Sequence, residues 1–178
     1  MINAGYLDKL AKVESGNNPL AQNPKSSAKG RFQFINDTAK QYGLDQHDFG
    51  TPEYEQAEKQ AAVKLTQDNF EYLQKKLNRA PTEGELYLAH QQGAGGAEKI
   101  LMANQSEKAI NILGKDQVLN NGGTEDMTVA EFAQKWTSKF DKGENNVDAD
   151  RKNGNVSAEL GDIDALSDFG VNADSGDV

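Results

Sequence analysis

Glu14 stands where a carboxylate can be tuned for proton transfer. Leu7, Leu10, Ala11 and Glu14 recur at the i, i+3, i+4, i+7 spacing of one helix face, so the acid continues an apolar stripe. Ser15, Gly16, Asn17, Asn18 and Pro19 follow at once, a cluster that ends helices, with Gly16 suited to the left-handed cap position. The spacing therefore predicts Glu14 in the last turn of a helix. There the helix dipole presents partial negative charge and apolar neighbours withhold water, and both effects disfavour the carboxylate and raise its pKa. A carboxyl that keeps its proton near neutrality is a general acid. Position and periodicity alone leave a second reading open, a solvated glutamate at a frayed helix end.

The residues after Glu14 suit a polymer rich in hydroxyl and acetamido groups. Between Asn17 and Gly30 the chain is a polar turn in which Asn23, Ser26 and Ser27 offer donors and acceptors together. An ordinary exposed turn has the same composition.

Glu14-Ser15, Asn18-Pro19, Ser27-Ala28-Lys29-Gly30, Arg31-Phe32-Gln33-Phe34-Ile35 and Thr38-Ala39 together resemble the goose-lysozyme-like lytic transglycosylase domain. In that family a Glu-Ser pair ends a helix and a Gly-Leu-Met-Gln-like segment follows. The resemblance implies that Glu14 is the proton donor and acceptor, that Gln33 contacts the glycan and that Ile35 lines the sugar groove; among the polar-turn residues Ser27 is a weaker glycan-binding candidate. The family's Ala-Tyr-Asn-Ala-Gly segment is matched by Ala89-His90-Gln91-Gln92-Gly93, with His90 in place of the tyrosine and Gln91 in place of the asparagine. An imidazole can replace a phenol as a hydrogen-bonding group only with a different reach and its own titration. Helical spacing also lets Tyr87, on the face shared with Gln91, reach toward the site. The resemblance spans roughly residues 5 to 140 and is tighter in its first half; Thr128-Val129-Ala130-Glu131-Phe132 lies where the family's last motif is expected, with different spacing.

Most glycosidases pair two carboxyl groups. The resemblance implies a route that needs one: the acid protonates the glycosidic oxygen and then, as a base, removes the C6 hydroxyl proton while that oxygen closes on the anomeric carbon. Were a second acid used, Asp37, Asp45 or Asp48 is nearest in sequence after Glu14. Asp37 reads as the cap of a short helix, and the other two fall in a turn-rich loop.

The elements that must hold these residues read as helices, with no convincing strand alternation. Thr51-Pro52 opens a long helix toward Leu77, while Thr82 with Glu85 and Thr128 with Glu131 have capping-box spacing. Val129, Phe132, Ala133, Trp136 and Phe140 form a stripe that reads as core, and Gly93-Ala94-Gly95-Gly96 reads as a turn between two helices. The fold class expected is all-α and lysozyme-like. With 178 residues, 36% of them hydrophobic, the chain can bury one core. We expect a catalytic domain over residues 1–140 and an acidic, low-complexity, disordered tail over 141–178, transiently helical around 157–166. Ten acids face three bases beyond residue 140, so −7 of the formal net charge of −9 belongs to the tail.

The same residues exclude several classes. Cysteine is absent, and His47 and His90 are too isolated for zinc, so no cofactor or metal is expected. Asp148-Ala149-Asp150 with Asn153-Gly154 fails as a calcium loop because Lys152 holds its fifth position. Basic surface for nucleic acid is missing, no apolar run approaches a membrane span, and the first residues lack the pattern of a signal peptide. The expected protein is a lytic transglycosylase acting on peptidoglycan glycan strands at the MurNAc-β-1,4-GlcNAc bond. A bacteriophage source follows as an expectation, with the protein in the virion or host cytoplasm before it reaches the periplasm and the tail binding virion or other phage proteins. A hydrolytic muramidase of the same fold and a non-catalytic virion or cell-wall-binding protein are the alternatives.

Overall fold

Side chains close the first turns of the long helices, and this sets where the chain folds back. In the computed structural model residues 5–152 are described, with side chains through residue 142. The elements are α1 (Gly5–Ser15), α2 (Asn36–Gln41), a 3₁₀ turn (Leu44–Gln46), α3 (Pro52–Leu77), α4 (Glu83–Gln92), α5 (Ala94–Met102), α6 (Ala109–Leu113), α7 (Lys115–Asn120) and α8 (Val129–Lys152). Thr51 Oγ1 accepts from the Tyr54 amide at 3.2 Å, with Pro52 opening α3. Thr82 and Glu85 form the expected capping box, the two amides donating across it at 3.2 and 2.8 Å. Thr128 and Glu131 make the same reciprocal pair at the head of α8.

Two expectations are corrected. Asp37 does not cap α2: the residue before that helix is Ile35, and the first amide, that of Asn36, donates to Ser27 Oγ at 3.1 Å. A hydroxyl nine residues upstream satisfies the orphan donor, so Asp37 stays in the first turn, where its charge opposes the positive end of the helix. The turn between α4 and α5 is also shorter than Gly93–Gly96. Gly93 alone makes it, at φ 72°, and Ala94–Gly96 already belong to α5.

Among the described residues the architecture is all-α; extended pairing is limited to isolated bridges at Gln22–Lys29, Lys29–Phe34 and Lys108–Thr128. One core cluster joins α1, α3, α4 and α8 through Tyr6, Leu10, Tyr54, Leu86, Tyr87 and Phe140; a second joins α3 to α8 through Leu73, Leu88, Ile100, Val118 and Phe132. Trp136 packs on both. The α8 stripe is therefore core, as its spacing indicates, and α8 lies close along α4, where a Cβ at Gly84 would come within 3.1 Å of Thr137 Cβ. The helix runs on through Asp141 to Lys152, past the break in composition; the expectation for residues 153–178 lies outside the described residues. No described helix is long and apolar enough to cross a membrane.

Phe140 is the key of this packing. Its ring is fully buried, 5.1 Å from the ring of Tyr6 and 5.0 Å from that of Tyr87, with Lys9 Nζ 4.1 Å above it. Phe140→Ala removes the contact that ties α8 to α1 and α4 and should cost about 3–5 kcal/mol in urea unfolding; a loss below about 1 kcal/mol would show that the last helix is dispensable to the core.

Candidate active site

The end of α1 is built to present Glu14. Gly16 and Asn17 are both left-handed, at φ 65° and 66°, and their amides reach back to the carbonyls of Lys12 and Ala11 at 3.0 Å. This double reversal stops the helix one residue after Glu14, which is half-buried in the last turn. Ser15 then fastens the helix end to the next segment: its hydroxyl donates to the Arg31 carbonyl at 2.8 Å and accepts from the Asn18 amide at 3.0 Å.

That next segment is a four-residue turn, Gly30–Gln33, closed by mutual amide-to-carbonyl bonds between Lys29 and Phe34 at 3.2 and 3.1 Å. Gly30 sits at φ 84°, and a Cβ there would collide with the carboxylate of Glu58. Glu58 comes from α3, is wholly buried, and accepts from the Phe32 amide at 2.9 Å. Burial pushes its carboxyl above the ordinary value, against the Phe32 and Arg31 amides and the Arg31 charge, which pull it down. The Arg31 guanidinium spans from Asn17 Oδ1 at 2.5 Å to Glu55 at 3.3 Å. Gln33 occupies the left-handed region at φ 54°, uncommon for a residue with a Cβ, and donates to the Gly30 carbonyl at 2.9 Å.

Helix α4 supplies the other wall. Gln91 Nε2 donates to Glu14 Oε1 at 2.5 Å, joining positions 77 residues apart. Burial first, then the charge and proximity of Glu14, push the Tyr87 phenol far above its ordinary pKa, so it remains a neutral donor. Its hydroxyl is buried, faces Glu14 and has no fully formed hydrogen bond. Tyr6 is held neutral in the same way, by burial and then by the charges of Glu83 and Glu14. His90 stacks on Tyr87 at 6.3 Å, and its Nε2 lies 3.2 Å from the Phe32 carbonyl. Because a carbonyl only accepts, Nε2 carries the proton and donates. Burial, with help from Lys139, lowers the His90 pKa, against Glu14 and the Phe32 carbonyl, which raise it.

The structure thus brings Glu14, Gln91, Tyr87 and His90 together and sets Gln33 on the turn that His90 touches. Ser27 and Ile35 lie further along that segment. Ser27 is exposed and engaged with Asn36; Ile35 is 47% exposed and precedes α2. Asp37, Asp45 and Asp48 are all exposed, and no hydrogen bond or ion pair links any of them to Glu14. The residue that motif reading misses is Glu58. A signal for it exists: in α3 it interrupts the stripe Tyr54, Ala61, Ala62, Leu65, as Glu14 extends its own stripe in α1.

A helical domain whose first helix ends in a half-buried glutamate, held by an amide from a distant helix and flanked by buried phenols, has the plan of a lysozyme-like, glycan-cleaving protein. The chain belongs to the family described as Transglycosylase SLT domain, whose model matches residues 1–113. Membership implies a peptidoglycan-cleaving function of the lytic transglycosylase type, acting at the cell wall. The match ends with α6, before α8, whose Phe140 packs on Tyr87. No curated protein matches the chain.

His90 yields a test. With its pKa below the ordinary value of about 6.5, the unfolded chain takes up the proton first, so this residue's contribution to stability is complete at neutral pH and is lost as pH falls below that ordinary value. Imidazole ¹⁵N NMR should find a neutral Nε2–H ring at pH 8 and a protonation midpoint below about 6.5; a midpoint at or above that value would contradict the environment described.

Proposed function

We propose that this chain is a lytic transglycosylase that cuts the β-1,4 bond between N-acetylmuramic acid and N-acetylglucosamine and leaves a 1,6-anhydro end. The observation that carries the proposal is the hydrogen bond from Gln91 to Glu14. It occupies Oε1 and leaves Oε2 as the oxygen that exchanges a proton with substrate. Protonated Glu14 gives that proton to the glycosidic oxygen, the C1–O4 bond breaks, and positive charge develops at C1 with help from the substrate acetamido group. The carboxylate then removes the proton of the 6-hydroxyl as O6 bonds to C1. Glu14 ends protonated, ready for another cycle, and water is not consumed.

The neighbours have distinct parts in this reading. Gln91 orients the Glu14 carboxyl through its hydrogen bond, and Tyr87 offers a phenol proton to the carboxylate or the sugar. Gln33 and Ile35, adjacent on the turn and its exit, contact the glycan through an amide and an apolar face. Ser27 accepts from Asn36 and keeps its own proton for the glycan. His90, with Nε2 engaged by Phe32, holds the turn from behind. The setting we favour is a bacteriophage one, with Ala89–Gly93 as a divergent form of the family segment.

Purified peptidoglycan incubated with the wild-type protein should release muropeptides carrying anhydro ends. Glu14→Gln should lower that release by roughly 100- to 10,000-fold, and Gln91→Ala by about 10- to 100-fold, as expected for losing one hydrogen bond to a charged group. Reducing ends would overturn the transglycosylase route in favour of a hydrolase, and equal release by wild type and Glu14→Gln would remove Glu14 from the chemistry.

A further inference from the structure

A carboxylate buried without an ionic partner is costly, and Glu58 is such a group outside the set that touches the glycan. It is fully buried in α3, one oxygen accepts from the Phe32 amide at 2.9 Å, and the other has no fully formed hydrogen bond. The Arg31 guanidinium, whose charge acts on Glu58, makes its ion pair with Glu55 instead, at 3.3 Å. Packing alone would be served better by an apolar side chain.

What Glu58 grips points to its use. The amide of Phe32 and the carbonyl of Arg31 belong to one peptide group. Glu58 holds the N–H of that peptide and the Ser15 hydroxyl holds its oxygen, at 2.9 and 2.8 Å. Ser15 is bonded in the chain to Glu14. On the next peptide, the Phe32 carbonyl accepts from His90 at 3.2 Å, one residue before Gln91 on α4. A negative charge on one end of a peptide dipole strengthens the hydrogen bond at the other end. Gly30 fits the arrangement, since any larger residue there would push Glu58 away.

Resting on the transglycosylase reading above, we propose that Glu58 is a positioning residue for the reaction: it locks the Arg31–Phe32 peptide and through it aligns Glu14 with the turn that bears Gln33. It touches neither sugar nor the reacting atoms. Displacements of about 1 Å at a reacting group cost on the order of 100-fold in rate, which makes such a lock worth its burial.

Glu58→Gln keeps the size of the side chain but puts an N–H₂ where an oxygen met the Arg31 and Phe32 amides. Kinetics of glycan release, measured well below the unfolding midpoint of the variant, should show kcat reduced about 10- to 100-fold with KM changed less than about threefold. Amide spectra should show shifts at Ser15 and Gln33, which Glu58 does not touch. Wild-type kcat in a folded Glu58→Gln protein would overturn the proposal and leave the residue a structural one. If Glu58→Gln does not fold, Ser15→Ala breaks the same lock from the other end, where a comparable kcat loss supports the proposal and an unchanged rate overturns it. Should the wild type release no fragments, the transglycosylase reading falls, and the shifts at Ser15 and Gln33 decide by themselves whether Glu58 controls the alignment.

Discussion

The peptide between Arg31 and Phe32 is held from both sides, by the hydroxyl that follows Glu14 and by a carboxylate buried in α3. The site depends on this clamp because its two parts come from segments with no regular ladder between them. A helix end and a four-residue turn would otherwise drift independently, since loops pack through few backbone bonds. The Arg31 side chain reinforces the clamp from outside through Asn17 and Glu55, and His90 does so from the side of α4.

Around that clamp the fold keeps Glu14 in a setting of neutral donors. Gln91 and the phenol of Tyr87 face it, Tyr6 lies in its field, and desolvation lowers the pKa of His90. The aromatic rings that make this surface apolar are fixed by Phe140, which contacts both Tyr6 and Tyr87. Helix α8 lies beyond residues 1–113, which the family model matches, yet it completes the wall behind the site. Stability and the electrostatics of the site are thus set by the same ring contacts.

Much of this was legible in the residues because the relevant signals were local. The stripe through Leu10 and Ala11 and the glycine after Ser15 place Glu14 in a last helical turn, and the Thr–Glu spacings mark the starts of α4 and α8. The core reading of Val129, Phe132 and Phe140 follows from period alone. What escaped depended on distant partners. Asp37 has the composition of a cap, but Ser27 reaches the amide first through the fold of the preceding loop. Gly93 to Gly96 reads as a long turn because glycine has low helix propensity, yet tertiary packing draws all but the first into α5. Glu58 was visible as an acid in an apolar stripe, but nothing in the chain says that its partner is a peptide group 26 residues earlier.

Amide hydrogen exchange at Phe32 tests the clamp most directly. Phe32 lies in a turn and belongs to no helix or strand, so an ordinary loop amide would exchange within the rates of the exposed 22–27 segment. Held by Glu58 in a dry interior, it should instead be protected as strongly as the buried amides of α3 and α4, exchanging only when the domain unfolds. Exchange of Phe32 at loop rates in the folded protein would contradict the claim that this peptide fixes Glu14 to the turn that bears Gln33.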